Sequence, residues 1–198
     1  MNPVRLTCLA ALLLLPLCAC KGGGQHAGEE HEVAVAQQPA LSLTAGIAAA
    51  QKSEPGGTFL AAEIENEGGK VICSVVLAET DGAHEINIDA TTGAVLNTEN
   101  EKLGPKSHAL LQSLGKDGHA ATSPAQAIEA ALKKVPGTWA LEVKLAMEGS
   151  ALFYEVVLAG GHEPMVAQVS AADGLVKRVA EQEEEDEEGE HAEAAEKN

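Results

Sequence analysis

Val75-Val76-Leu77-Ala78 recurs as Val156-Val157-Leu158-Ala159, and the residues on either side recur with it. Under a shift of 81 residues (156 − 75), Ser42–Leu96 lies over Ser123–Lys177 without a gap. Ile47 falls on Ile128, Pro55-Gly56 on Pro136-Gly137, Leu60 on Leu141, Glu67-Gly68 on Glu148-Gly149 and Gly93 on Gly174. A constant offset over so long a stretch predicts one supersecondary unit built twice. A unit of this size alone would hide only roughly 60% of its unfolded surface. The two are therefore expected to pack on each other or on their flanking segments.

Working outward, Ser42 reads as a helix N-cap, and Leu43, Ile47 and Ala50 form the apolar stripe of a short helix over Leu43–Lys52. Gly46 weakens that helix by up to about 1 kcal/mol relative to Ala. Pro55-Gly56-Gly57 stops it, and strands follow at Thr58–Glu65, Val71–Leu77, Glu85–Asp89 and Ala94–Leu96. Plain alternation sets Leu60, Ala62 and Ile64 on one face and Phe59, Ala61, Glu63 and Glu65 on the other. In the second unit, Ser123-Pro124-Ala125-Gln126 is a capping box with Pro at the first helical position. Trp139, Leu141, Val143 and Leu145 then alternate with Ala140, Glu142 and Lys144, and Leu152–Leu158 is the next strand. Pro164 cannot donate to a ladder, which points to an edge or a bulge. The fold class expected is α+β: two repeats, each one helix packed on a small antiparallel sheet of three to four strands. Residues 97–122 form the linker between them, with a short helix at Ser107–Leu114.

Of 198 residues only four are aromatic, Phe59, Trp139, Phe153 and Tyr154, so the core must be aliphatic. The net charge is −17. That charge repels phosphate backbones, and so few aromatic rings offer no stacking platform, which excludes nucleic acid as a partner. Residues 181–198 hold ten acidic side chains against one Lys, the composition of a solvated, disordered acidic tail.

The N-terminus reads as an address. Met1–Ala19 has Arg5, the apolar run Leu12–Leu15 and small residues before a cysteine, a secretory signal too short to span a bilayer. Its end, Leu17-Cys18-Ala19-Cys20, resembles the lipobox of bacterial lipoproteins. The implied processing is cleavage before Cys20 and lipidation of its thiol. Residues 20–41 are Gly-rich and polar, a flexible tether. In a Gram-negative cell, Lys21 in place of Asp implies sorting to the outer membrane. Once Cys8 and Cys18 leave and Cys20 is lipidated, Cys73 is the remaining cysteine, so no internal disulfide can form.

The repeat itself resembles a known family. Ser123, Ala127-Ile128 and Ala131, then Pro136-Gly137, then Tyr154-Glu155-Val156, with Ile88-Asp89-Ala90-Thr91-Thr92-Gly93 in the first copy, follow the pattern of PepSY domains. The departures are Cys73 at the aromatic position of the first copy, and Ser170–Gly174 in place of the Asp-x-x-Thr-Gly turn in the second. The resemblance implies two PepSY modules, over 42–96 and 123–180, and a role in restraining or chaperoning envelope peptidases.

No nucleophile elbow, phosphate loop, zinc-protease helix or dinucleotide fingerprint is present, so catalysis and a cofactor are not expected. Asp89 and Gly93 read as turn residues. Cys73 reads as a buried hydrophobe rather than a reactive thiol. Trp139 and Tyr154 are candidate partner-binding residues, with core filling the competing role. His26, His31 and His191 lie among carboxylates and are weak metal candidates, although no spacing matches a closed zinc site. The expectation is a non-catalytic, lipid-anchored envelope protein on the periplasmic side that binds or inhibits a peptidase or other envelope protein. The alternatives are an acidic His/Glu divalent-cation binder and a passive scaffold.

Overall fold

The computed structural model describes residues 38–79, 82–114 and 118–182. The expected leader, residues 20–37 of the tether with Cys20, His26 and His31, and His191 with nearly all of the acidic tail lie outside them. In chain order the elements are α1 (Leu43–Ser53), β1 (Thr58–Glu67), β2 (Lys70–Glu79), β3 (Gly82–Asp89), β4 (Val95–Glu101), α2 (Pro105–Ser113), α3 (Pro124–Lys134), β5 (Trp139–Glu148), β6 (Ala151–Ala159), β7 (Met165–Ser170) and β8 (Val176–Glu181). Helix and four antiparallel strands thus follow each other twice, with α2 between.

The expected pair of small sheets is one sheet. Its eight strands run β4-β3-β2-β1-β5-β6-β7-β8. The join is an antiparallel pairing of β1 with β5, in which Ala61, Ala62 and Glu63 oppose Lys144, Val143 and Glu142. Joining there covers two edges that separate sheets would leave open.

Both start signals act as read. Ser42 Oγ accepts from the Ala45 amide. Ser123 and Gln126 close a reciprocal capping box. Helices α1 and α3 lie on one face of the sheet, over a continuous aliphatic core that includes Leu43, Ile47, Leu77, Ile86, Ile128, Val143, Val156 and Val169. Gly46 is the point of closest approach, since a Cβ there would collide with Cys73 Sγ. The glycine that costs the helix propensity is what lets α1 sit down on β2.

Plain alternation fails at one residue in each half. The β1–β2 register shifts between Phe59 and Ala61, and the β5–β6 register between Ala140 and Glu142. Leu60 and Leu141 are therefore bulged residues, and a bulge reverses the phase of everything before it. Phe59 joins Ala62 and Ile64 on the helix side, and its ring meets Tyr154 at 6.3 Å between centroids. Leu60 turns to the opposite side with Ala61. The first four-strand run is also longer than expected, with β4 continuing to Glu101 where the linker was placed.

The Asp89 turn forms as its residues dictate. Asp89 Oδ1 accepts from the Thr91 and Thr92 amides, and Gly93 takes φ 72°. The second half reaches a similar turn by other means: Asp173 Oδ1 accepts from the Leu175 amide, and Gly174 takes φ 70°.

Candidate functional site

With α1 and α3 on one face, the other face of the sheet carries, among the described residues, only α2. Period-two alternation from the observed pairings puts Glu63 and Glu65 of β1, Ser74 and Val76 of β2, Glu85 of β3, Glu99 and Glu101 of β4, Glu142 and Lys144 of β5 and Glu155 of β6 on that face. Glu63 and Glu142 oppose each other directly across the seam. Like charges so placed repel, and partial burial denies them water. Burial pushes the Glu63 carboxyl up to about 8, helped by Glu65, Glu142 and Glu85. Burial also raises Glu142, opposed by Lys144 and assisted by Glu155. Glu85 is raised by burial although Ser74 Oγ donates to it at 2.6 Å. Lys144 Nζ pairs with Glu155 at 2.9 Å.

Beside this band, α2 and the sheet enclose a cleft of about 420 Å³. Its floor is Leu60, Ala61 and Val76, its roof Ser107 and Leu110, and its charged rim includes Glu101, Lys106, Lys144 and Glu155. Ser107 is 2% exposed, and its Oγ has no hydrogen-bond partner among the described residues. An apolar floor with few polar groups is the composition of a binding cleft. Sequence reading missed it because both bulges, and the position of α2 across the sheet, were invisible to simple alternation.

The two aromatic candidates do not come together here. Tyr154 is 2% exposed on the helix side, and its hydroxyl donates to the Thr122 carbonyl at 2.9 Å. It ties the start of α3 to β6 and presents no surface to a partner. Tyr154→Phe leaves that buried carbonyl without its donor and should cost about 1–2 kcal/mol in urea unfolding. A loss below about 0.5 kcal/mol would show that the hydroxyl is dispensable. Trp139 is half-buried with its ring over Gly160, and its Nε1 lacks a partner among the described residues. Cys73 is fully buried, and burial together with Glu63 and Glu65 pushes its thiol up to about 12, the condition of an inert cysteine.

A second cluster lies at the end of the sheet, on the helix side. His84 Nδ1 is 2.8 Å from Glu54 Oε2 and 4.0 Å from Glu79 Oε1. The hydrogen bond to Glu54, with both carboxylates nearby, holds the imidazole pKa above its usual value.

No helix among the described residues is long and apolar enough to cross a membrane. No curated protein sequence matches the chain. Three solved structures are similar to it. A candidate lipoprotein from Clostridium difficile 630 is 21% identical with a TM-score of 0.47, covering 74% of this chain and 96% of its own. The Bacillus megaterium YpeB C-terminal domain is 15% identical with a TM-score of 0.30, covering 75% and 68%. The YpmB protein from Bacillus subtilis is 17% identical with a TM-score of 0.29, covering 69% and 96%. Residues 122–176, which hold α3, β5, β6 and β7, match the PepSY family model, described as peptidase propeptide and YPEB domain.

Proposed function

We propose that this is a non-catalytic lipoprotein of the cell envelope, anchored through Cys20, that binds and restrains a peptidase or another envelope protein. The observation that carries the reading is the PepSY match over 122–176, whose family description names peptidase propeptides. The first half is read as a second, diverged copy of the same module. The 81-residue register and the same succession of a helix and four strands support this.

The sheet offers a partner two kinds of surface. Among the described residues, strands β4 and β8 each pair on one side only, so an extended segment can add to either edge by main-chain hydrogen bonds. Val95 and Leu96 on β4, and Leu175 just before β8, are exposed beside those edges. The net charge of −17 favours a basic partner and would speed its capture at low salt.

The test adds the mature chain to solubilised envelope from its source cells and follows degradation of a protein substrate. Slowed proteolysis, with a peptidase co-eluting with the chain, is expected. Unchanged proteolysis with no co-eluting peptidase would remove the reading.

A further inference from the structure

We propose that Glu54, Glu79 and His84 form a binding site for a divalent first-row transition cation. The three come from different elements: Glu54 caps the C-terminus of α1, Glu79 ends β2 and His84 lies near the start of β3. Their ligand atoms all lie within 4.8 Å of one another. A tetrahedral cation with bonds of about 2.0–2.1 Å sets neighbouring ligand atoms about 3.3 Å apart. The separations of 2.8 and 4.0 Å from His84 Nδ1 bracket that value. Modest side-chain movement therefore brings the atoms to coordinating distance. One imidazole nitrogen with two carboxylate oxygens is a donor set for zinc and its neighbours rather than for calcium, and leaves a position open.

Two further observations favour a site over an incidental ion pair. Asn100, opposite His84 on β4, accepts a side-chain hydrogen bond from the imidazole, the kind of support that orients a ligating ring. The other half supplies an internal control. Under the 81-residue shift, Glu54, Glu79 and His84 correspond to Val135, Gly160 and Met165, none of which carries an imidazole or a carboxylate. The same framework stands in the second half without any of the three, so the fold does not require them. They occur together, in one half only.

This inference is independent of the peptidase reading. The experiment is calorimetric titration of Zn²⁺ into the chelator-stripped mature chain, with melting followed in parallel. One site per chain is expected, together with a higher melting temperature. His84→Ala and, separately, Glu79→Gln should weaken binding at least about tenfold and abolish the melting shift. Glu79 is the more exposed of the two, so its substitution tests the site without threatening the fold. Replacing His26, His31 and His191 together by Ala should leave the site intact. Equal Zn²⁺ affinity in the parent and in both site variants would overturn the proposal, as would binding that disappears with the three terminal histidines or an absence of binding in the parent.

Discussion

Glu63→Gln should stabilise the protein by on the order of 3 kcal/mol at pH 8 and leave it unchanged near pH 4. The carboxyl titrates at 4.5 in an ordinary setting and at about 8 in the fold. Below pH 4.5 the folded and unfolded chains both hold the proton. Between 4.5 and 8 the folded chain keeps it while the unfolded chain has released it, so stability falls as pH rises through that window. Above about 8 the fold must hold a charge beside Glu65, Glu142 and Glu85. A neutral amide of the same shape removes the cost. The figure is set below the full linkage value because the side chain is only partly shielded from water. Urea unfolding from pH 4 to 9 reads the effect as a flatter stability profile in the variant. Some slope should persist, since Glu142 and Glu85 are raised as well. Parallel profiles for parent and variant would mean that Glu63 titrates alike in the folded and unfolded chains.

The second large effect runs against helix propensity. Gly46→Ala should gain up to about 1 kcal/mol from the helix and still destabilise by on the order of 2 kcal/mol net. The new methyl would collide with Cys73 Sγ and stand 3.2 Å from Cys73 Cβ, inside a core with no slack. Cys73→Ala alone should also destabilise, by leaving a small cavity. In the double variant one change makes room for the other, giving about 1–2 kcal/mol more stability than the two single losses predict. Chemical denaturation of the four proteins closes the cycle, and strict additivity would show that Gly46 and Cys73 do not touch. The other half has solved the same contact differently. Ala127 stands at the position matching Gly46, and Tyr154 at the position matching Cys73.

Much of the architecture was legible because it rests on local signals. The capping box at Ser123 and Gln126, the Pro-Gly stops and the Asp89 turn each need only their own neighbours, and each forms as the residues dictate. Two things were not legible. Bulges at Leu60 and Leu141 reverse the phase of a strand, and nothing in an alternating run marks where an extra residue will be absorbed. The merging of two sheets into one depends on how β1 and β5 meet, which no short-range pattern records. The candidate sites share this limit. Glu63 and Glu142 come from opposite sides of that seam, while His84 lies 30 residues beyond Glu54. Tertiary pairing creates both groupings, so sequence spacing pointed instead to histidines at the chain ends.

The seam is also short. It holds three residue pairs, against nine between β1 and β2 and nine between β5 and β6. Under tension the molecule would tear there first, with each half keeping its own hairpins and its own helix. A partner gripping both outer strands would thus load the frailest line in the sheet.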